Sequence, residues 1–559
     1  TIGLTRQYDG TTNASSNATD TNTTESYSGL VGSETLTLTG QGSVASKNVS
    51  GSTQSVTLGT IALGDQAGAT TSSGGLASNY NLTSAALTIN KKVLNSNSSR
   101  VYNATTTASA SDITLTNQVS GESLQLSNAA ATSNANVGSY SISNLSGITI
   151  SDEAGANASS GALAANYTLT GGTHTFAINR KSVNIAGTRQ YDGTTNIAAA
   201  DISTITDTVN SEVLSMSGGL GTTSSANVAA YNLVNTSQGT LTLANGPSGA
   251  NQGLASNYTL TGGTQDYTIT ERVLNSSGSK TYDANTDALA AAITLSNLVS
   301  GEALNHSGTA TIGSANAGSY TITNLAGITI ADGSGGSASN YTLTGGTHNF
   351  TVDRRAVSVS GTRLYDATTN AVASDLSTHA NLVGSETLNL SGTGTIASKN
   401  VGSNKTVSVG TLALADGSNG GLAANYTLSG GTHQLTVNQR PLNATLARQY
   451  DGTTTAAGSD LSSFDALQGG ETLTMTGSGT AASANVANGI AMSSNGTLAL
   501  ADGTGSASNY SLNSTVINIA QRVLNSSGSK TYDANTDALA AAITLSNLVS
   551  GEALNHSGT

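Results

Sequence analysis

The sequence contains no cysteine and no tryptophan, only two prolines and three phenylalanines, and only 9% charged residues among its 559 positions. Without cysteine, disulfides and thiolate metal sites are excluded. The net charge of −13 is made by few charges overall and includes no clustered basic surface, which argues against a nucleic-acid partner. No apolar run approaches the roughly 18 residues of a spanning helix, and no signal peptide opens the sequence. We therefore expect no membrane span within this sequence.

The residues that are abundant favour several small domains over one large core. Glycine occurs 65 times, and hydrophobic residues make up 36% of the chain. Many of the apolar residues are Val, Ile, Leu and Tyr at alternating positions, so a modest apolar content is well organised. At roughly 100 to 200 residues per domain, the length predicts several domains, each with a thin core.

A Tyr-Asp or Tyr-Asn marker recurs along the whole chain. It stands at Tyr8, Tyr102, Tyr191, Tyr282, Tyr365, Tyr450 and Tyr532, at intervals of 82 to 94 residues. Self-similarity at a fixed period indicates a repeat architecture. The markers predict six β repeats, at 1–90, 91–180, 181–271, 272–354, 355–439 and 440–521, and a partial seventh at 522–559. Because the sequence starts and stops within the pattern, we expect it to be a segment of a longer protein.

Other residues keep a constant spacing from this marker. A cation precedes each Tyr by two residues, and another stands ten residues before each Tyr except Tyr8, where the sequence does not reach that far. A Glu follows in a "GSE" or similar turn, 20 or 21 residues later in six cases of seven, and an Asn-Tyr pair closes each full repeat. The predicted structural motif comprises Arg6, Tyr8, Asp9, Glu34, Tyr80, Arg189, Tyr191, Asp192, Glu212, Lys280, Tyr282, Asp283, Glu302, Tyr341, Arg363, Tyr365, Asp366, Glu386, Arg448, Tyr450, Asp451, Glu471, Lys530, Tyr532, Asp533 and Glu552.

Alternation of apolar residues predicts β-strands. "NYTLTGGTHNFTV" places Tyr341, Leu343, Phe350 and Val352 on a two-residue period, and turns such as "TGGT" and "VSGE" interrupt the pattern at short intervals. We expect five to seven strands in each repeat, with only "DALAAA" favouring a short helical turn. The fold class is therefore all-β: a tandem array of small immunoglobulin-like sandwiches or β-grasp-like sheets. Joints without Gly/Ser linkers predict an elongated, semi-rigid rod.

The recurrent cation, Tyr, Asp and Glu permit two interpretations. They could form a binding or acid-base site, or they could fix a corner in which Tyr packs its ring, Asp accepts backbone donors and Glu or Asp pairs with the cation. Recurrence in every repeat favours the corner, because repeated units share structural needs. We therefore predict no catalytic residues and no enzyme. A Lys-to-Asx isopeptide bond at Lys280, near Glu302, is disfavoured because Arg replaces this Lys in five of seven repeats.

No cofactor or metal is expected. Asp332, Asp416 and Asp502 stand in "ADG" loops that could contribute to Ca²⁺, but acidic neighbours are sparse and turn formation is favoured. The six His residues show no metal-ligand spacing.

In combination, these motifs resemble the YDG and MBG repeat domains of large bacterial surface proteins, including filamentous-haemagglutinin-like adhesins. The pattern cation-x-Tyr-Asp-Gly, Gly-Glu and Asn-Tyr recurs in order over the whole sequence, although Asn103 replaces Asp once and Ala replaces Gly four times. The resemblance implies an exported bacterial protein, extracellular or at the cell surface, whose β domains form a stalk or fibre.

The leading hypothesis is thus a structural, non-enzymatic stalk or fibre-forming region of an adhesin or surface filament. Its expected partners are further copies of itself in a filament or matrix, and host or cell-surface glycans contacted through regions outside this sequence. The alternative is a set of multivalent carbohydrate- or protein-binding adhesive repeats. A third hypothesis is amyloid-like assembly of polar β repeats.

Overall fold

The computed structural model describes residues 1–15, 23–70, 74–142, 144–157, 160–232, 238–322 and 324–559. Strand makes up 47% of it, and no helix among the described residues reaches seven residues. The prediction of an all-β chain of small sheets in tandem is confirmed. No helix in this part of the chain is long and apolar enough to cross a membrane.

The strands are short and recur in similar order in each repeat. In the first repeat they are Ile2–Gln7, Asn13–Ser15, Thr24–Tyr27, Thr37–Thr39, Gln41–Ser43, Gln54–Ser55, Ala62–Gly64 and Ala85–Asn90. In the second they are Lys92–Val93, Asn95–Val101, Thr107–Ser109, Leu115–Thr116, Gln125–Ala131, Gly138–Ser141, Ile148–Ser151, Tyr167–Thr168 and His174–Asn179. In the third they are Lys181–Ser182, Asn184–Gln190, Asn196–Ala198, Ile202–Thr206, Leu214–Gly218, Leu220–Thr222, Ala229–Asn232, Thr242–Asn245, Tyr258–Thr259 and Gln265–Thr270.

The later repeats follow the same plan. The fourth contains Arg272–Val273, Asn275–Thr281, Asp287–Leu289, Ile293–Ser296, Leu304–Thr311, Gly318–Thr321, Ile328–Asp332, Tyr341–Thr342 and His348–Asp353. The fifth contains Arg355–Ala356, Ser358–Leu364, Asn370–Val372, Thr378–Ala380, Leu388–Ser391, Thr393–Ile396, Gly402–Ser408, Ala413–Asp416, Tyr426–Thr427 and Gln434–Asn438. The sixth contains Arg440–Gln449, Thr455–Ala457, Leu461–Phe464, Leu473–Thr476, Ser478–Ala481, Ala487–Ser494, Ala499–Asp502 and Tyr510–Ala520, and the partial seventh contains Asn525–Gly528 and Ile543–Ser546. Each full repeat thus has more strands than the five to seven expected, because several are only two or three residues long.

Each full repeat is organised around a parallel pair formed by its first long strand and its last strand. In the first repeat, Ile2–Gln7 runs parallel to Ala85–Asn90, and Thr24–Tyr27 and Gln54–Ser55 flank the pair as antiparallel edges. In the fifth, Ser358–Leu364 and Gln434–Asn438 form the same pair inside a six-stranded sheet. The parallel pair favours the grasp-like alternative, because immunoglobulin sheets are antiparallel.

The helical segments are single 3-10 turns. They are Ala77–Asn79, Ala110–Asp112, Ala164–Asn166, Ala199–Asp201, Val209–Ser211, Ala255–Asn257, Ala290–Ala292, Ala338–Asn340, Ala373–Asp375, Ala423–Asn425, Gly458–Asp460, Ala507–Asn509 and Ala540–Ala542. One set of these turns ends at the Asn of each Asn-Tyr pair, immediately before the closing tyrosine.

The chain divides into two compact units. The first comprises Thr1–Arg272 with Ser339–Tyr341. One of its hydrophobic clusters begins with Ile2 and Leu4 in the first repeat and continues to Leu124 and Tyr167 in the second. Neighbouring repeats in this unit therefore share a core.

The second unit comprises Val273–Ala338 with Thr342–Thr559. Its main cluster runs from Tyr282 and Phe350 in the fourth repeat, through Leu435 in the fifth, to Leu473 and Tyr510 in the sixth. Fully burying a side chain of this size contributes about 1.5–3 kcal/mol. The thin core of each repeat is thus extended by its neighbour.

Candidate functional site: the joint between successive repeats

The Tyr-Asp corner is a tight turn held by the carboxylate. In the fifth repeat, Asp366 Oδ1 accepts the backbone N–H of Thr368 at 2.9 Å and its hydroxyl at 3.0 Å. This is an Asx turn, in which a side chain satisfies a backbone donor two residues on. The same pair of bonds joins Asp9 to Thr11, Asn103 to Thr105, Asp192 to Thr194 and Asp451 to Thr453. In the fourth and seventh repeats, Asp283 and Asp533 accept the N–H of Asn285 and Asn535.

The cation two residues before the tyrosine closes this corner. Arg363 Nη1 lies 2.9 Å from Asp366 Oδ2, and Nη2 donates to the carbonyl of Thr368 at 2.6 Å. Equivalent ion pairs are Arg6–Asp9, Arg189–Asp192, Lys280–Asp283, Arg448–Asp451 and Lys530–Asp533. The corner Asp, not the later Glu, is therefore the partner of this cation. The Lys280 amine also donates to Asn285 Oδ1 at 2.7 Å.

The residue after the Asp adopts a left-handed backbone conformation, which explains the Gly in the motif. Its φ is +77° at Gly10 and +75° at Gly452, but also +62° at Ala284 and Ala367. The left-handed region costs an L-residue roughly 1–2 kcal/mol. Repeats with Ala therefore form the same corner with strain that Gly avoids.

The corner tyrosine makes its hydroxyl contact outside its own repeat. The Tyr282 hydroxyl donates to Glu386 Oε1 at 2.8 Å, across 104 positions of sequence. Glu386 is the recurrent Glu of the following repeat, and its own N–H donates to the carbonyl of Val383 at 3.1 Å, which forms the "VGSE" turn. The same contact joins Tyr8 to Glu122, Tyr102 to Glu212, Tyr365 to Glu471 and Tyr450 to Glu552. The motif residues thus meet across repeat boundaries.

The closing tyrosine of the following repeat binds the other oxygen of the same carboxylate. The Tyr426 hydroxyl donates to Glu386 Oε2 at 2.7 Å and accepts the N–H of Val383 at 3.0 Å. The rings of Tyr282 and Tyr426 pack edge to face, with centroids 5.3 Å apart. The equivalent ring pairs, at 5.2–5.4 Å, are Tyr8–Tyr167, Tyr102–Tyr258, Tyr365–Tyr510 and, within the first unit, Tyr191–Tyr341. Such pairs contribute about 0.5–1.5 kcal/mol beyond their buried area.

A pair of asparagines joins the same two repeats. The side chain of Asn425 is fully buried; its Oδ1 accepts the N–H of Ala317 at 2.8 Å and its Nδ2 donates to Asn316 Oδ1 at 3.0 Å. The same two bonds join Asn166 to Asn48 and Val49, Asn257 to Asn136 and Val137, Asn340 to Asn227 and Val228, and Asn509 to Asn400 and Val401. Sequence reasoning singled out the Asn-Tyr pair but missed its partner, although "NV" or "NA" recurs at that place in every full repeat.

In the fourth to seventh repeats, the arginine ten residues before the corner tyrosine donates one further bond to the preceding repeat. Arg355 Nη1 donates to the backbone carbonyl of Tyr282 at 3.3 Å. The equivalent bonds join Arg272 to Tyr191, Arg440 to Tyr365 and Arg522 to Tyr450. The Asn that accepts a side-chain bond from the following Asn-Tyr pair, such as Asn316, is called the ladder Asn, and the cation ten residues before the corner tyrosine, such as Arg355, is called the opening cation. A joint comprises the corner Tyr and ladder Asn of one repeat, with the opening cation, Glu and Asn-Tyr pair of the next. The 4–5 joint is thus Tyr282 and Asn316 with Arg355, Glu386, Asn425 and Tyr426.

In the 1–2 and 5–6 joints a buried carboxylate lies between two phenols. The side chains of Glu122 and Glu471 are 7% and 8% exposed. Burial, together with the adjacent carboxylate, raises the pKa of Tyr102, Tyr282, Tyr426 and Tyr510 to about 12. Burial acts to raise the pKa of Glu471, but hydrogen bonds from Lys399, Tyr365 and Tyr510 outweigh it and lower that pKa. Tyr365 and Tyr510 therefore donate to a carboxylate whose charged form is stabilised within the joint.

The remaining motif residues lie as follows. The Tyr80 hydroxyl donates to Glu34 within the first repeat. Glu302 forms the same backbone turn as the other Glu residues, donating to the carbonyl of Val299 at 3.0 Å. Tyr532 is 91% exposed, although the Lys530 and Asp533 side chains still pair at 3.1 Å.

The "ADG" aspartates cap the 3-10 turns that precede the closing tyrosines. Asp416 Oδ1 accepts the N–H of Ala423 at 2.7 Å, and Asp332 and Asp502 bind Ala338 and Ala507 in the same way. This is the turn-forming role that sequence reasoning favoured over Ca²⁺ ligation. Among the described residues, no group of three His, Asp or Glu side chains could hold a metal ion.

Comparison with known proteins identifies the family of five of the repeats. The model of the YDG domain family matches residues 1–88, 83–175, 267–349, 351–434 and 433–517, which together exceed half of the chain. The resemblance to YDG repeat domains that was inferred from the motifs is thereby confirmed. No curated protein matches the chain.

Proposed function

Because the chain belongs to the YDG domain family, we propose that this tandem array is a non-enzymatic stalk or fibre-forming region of a large bacterial extracellular adhesin or surface filament. The observation that carries the proposal is the joint. Its recurrent polar residues are engaged in linking one repeat to the next, as in the 4–5 joint of Tyr282, Glu386 and Tyr426. Residues that acid-base chemistry would need are thus used to hold the array together.

The shared core supports the same role. In the second unit one hydrophobic cluster extends over three repeats, so a repeat cannot rotate against its neighbour without exposing apolar surface. A hinge between repeats would instead need a flexible linker, typically rich in Gly and Ser. Continuous packing is what a spacer that keeps its length requires.

The low charge density also suits lateral assembly of such a spacer. Only 9% of residues are charged, and desolvating charged groups is the main polar cost of burying a surface. A surface of Thr, Ser and Asn can pack against another copy at lower cost. Copies of the chain in a filament or matrix are therefore the proposed partners, and the extracellular space or cell surface is the proposed location.

Small-angle X-ray scattering of the whole chain tests the spacer role. A compact globule of 559 residues has a radius of gyration of about 24 Å. We expect a value of about twice that figure, with the skewed pair-distance distribution of an elongated particle. A symmetric distribution with a radius near the globular value would contradict the proposal.

A multivalent binding role is the second candidate, and one observation favours it. Open depressions lie at equivalent places in the second and third repeats, with volumes of ≈ 740 and ≈ 390 Å³, beside Tyr167–Leu169 and Tyr258–Leu260. Weak sites repeated along one chain gain affinity through avidity. Binding of the whole chain to a glycan array would support this role. If no glycan on the array binds the chain, the spacer role stands as the one supported function.

A further inference from the structure

The joints are of two kinds, distinguished by the residue immediately before the ladder asparagine. This residue is Lys in the first and fifth repeats, at Lys47 and Lys399. In the second, third, fourth and sixth repeats it is Ala135, Ala226, Ala315 and Ala484. One position therefore supplies either a cation or a methyl group to the joint.

In the 5–6 joint the lysine reaches the buried carboxylate. Lys399 Nζ lies 2.6 Å from Glu471 Oε1, the same oxygen that accepts the Tyr365 hydroxyl at 2.6 Å. The ammonium also stands 6.0 Å from the centroid of the Tyr365 ring, within cation–π range. In the 1–2 joint, Lys47 Nζ lies 3.5 Å from Glu122 Oε1. Both lysines thus contact the carboxylate that holds two repeats together.

In the 2–3 and 4–5 joints the carboxylate is bound by phenols. Glu212 accepts from Tyr102 at 2.8 Å and from Tyr258 at 2.7 Å. Glu386 accepts from Tyr282 and Tyr426 at the same two distances. The equivalent of the lysine is Ala135 or Ala315, which cannot neutralise the charge. These joints hold an anion by neutral hydrogen bonds.

The two arrangements differ in energy because the carboxylate is buried. Exposed ion pairs contribute little to stability, but Glu471 is 8% exposed, whereas Lys399 keeps 42% of its side chain in solvent. The cation therefore neutralises a buried charge while losing little hydration itself, and its bond to the carboxylate is charge-assisted. Consistently, hydrogen bonding to Glu471 raises the pKa of Lys399.

We propose that Lys47 and Lys399 lock the 1–2 and 5–6 joints, so that these repeats behave as paired modules and the array opens first at joints that carry alanine in place of the lysine, such as the 2–3 and 4–5 joints. The array then has a built-in order of yielding, set by one residue in each repeat. The order in which joints would open in a stalk under tension rests on the proposed function. The difference in stability between the two kinds of joint does not rest on it and can be measured in the chain without tension.

Hydrogen–deuterium exchange of the whole chain tests the proposal at two equivalent amides. The N–H of Gln468 donates to the Tyr510 hydroxyl in the 5–6 joint, and that of Val383 donates to the Tyr426 hydroxyl in the 4–5 joint. We expect the protection factor to be about tenfold higher at Gln468 than at Val383, as one charge-assisted bond to a buried carboxylate predicts. Equal protection at the two amides would overturn the proposal.

Reciprocal substitutions then separate the lock from other differences between the joints. Lys399→Met should lower protection at Gln468 about tenfold, and Ala315→Lys should raise it at Val383 by a similar factor. Lys405→Met, in the same repeat as Lys399, is the matched control and should change neither amide. If Lys399→Met lowers protection throughout repeats 5 and 6, the Ala315→Lys variant decides the question. A higher protection factor at Val383 in that variant supports the lock, and an unchanged protection factor overturns it. An elongated scattering profile together with equal protection factors at Gln468 and Val383 would refute the lock and leave the proposed function standing.

Discussion

Replacing Tyr282 by Phe removes one hydroxyl from the 4–5 joint and leaves its ring in place. The lost bond is the 2.8 Å donation to Glu386 Oε1. Hydrogen bonds to charged groups contribute about 1.5–3 kcal/mol. Glu386 still accepts from Tyr426 at 2.7 Å, so the carboxylate is not left wholly unpaired. We therefore expect the free energy of opening this joint to fall by about 2 kcal/mol, or roughly 30-fold in the equilibrium constant.

Glu386→Gln provides the second side of a double-mutant cycle. The amide keeps one acceptor oxygen for one phenol and presents an NH₂ donor to the other, so we expect a loss of about 2–3 kcal/mol. If Tyr282 and Glu386 act through each other, the double variant should lose at least about 1 kcal/mol less than the sum of the single losses. Because long repeat arrays depart from two-state unfolding, the measurement is local: exchange at the Val383 N–H, which opens with the joint.

Tyr27→Phe is the matched control. Its hydroxyl also donates to a carboxylate, Glu25 Oε2, but within the first repeat and in an exposed position. It should leave exchange at Val383 unchanged. Unchanged exchange in Tyr282→Phe, or a coupling energy below about 0.5 kcal/mol in the cycle, would refute the assignment of these two residues to one joint.

Three further predictions follow from the same contacts. The pKa of Tyr282 and of Tyr426 is about 12 in the fold and about 10 when unfolded. Because the folded chain binds these protons more tightly, their contribution to stability is complete below about pH 10 and is lost as the pH rises through about 12. Thermal melts followed by circular dichroism over this pH range should show the loss. Ala284→Gly should stabilise the fourth repeat by about 0.5–1 kcal/mol, because relief of the left-handed strain at φ +62° exceeds the entropy cost of glycine. Faster exchange at the Asn285 N–H, which donates to Asp283 in the same corner, would contradict this. Asp416→Ala should destabilise the 3-10 turn at Ala423 by about 1 kcal/mol, seen as faster exchange there with the other repeats unaffected.

Periodicity in the sequence identified the residues of the joint but not the partners they would have. The spacing from Tyr365 to Glu386 is 21 residues in the same repeat, which favours a contact within one corner. In the structure the Tyr365 hydroxyl binds Glu471, 106 positions away. Because the Glu recurs once in every repeat, each corner Tyr has one candidate partner in its own repeat and an equivalent one in the next. The pattern alone therefore cannot distinguish an internal contact from a joint.

Local patterns predicted strands well and sheet order poorly. The alternation in "FTV" and "YTI" places Phe350 and Val352, or Tyr267 and Ile269, on one buried face, as in the structure. The parallel pairing of the first and last strands of each repeat depends instead on a crossover of the whole repeat. Such a pairing is decided by packing over about 80 residues and leaves no local signal. The two- and three-residue strands are too short to show a period at all.

The duplicated stretch shows how such an array can lengthen without redesign. Arg272–Thr309 and Arg522–Thr559 are identical, and each copy carries some of the residues from both sides of a joint: a corner tyrosine for the following repeat, and an opening arginine and a Glu for the preceding one. In one copy, Arg522 donates to the carbonyl of Tyr450 in the preceding repeat, and Glu552 accepts the hydroxyl of the same tyrosine. In the other copy, the Tyr282 hydroxyl donates to Glu386 of the following repeat. Because each side contacts residues that recur in every repeat, a copied segment meets the same partners wherever it is inserted. The joint therefore depends on a few positions in each repeat and places no requirement on the number of repeats.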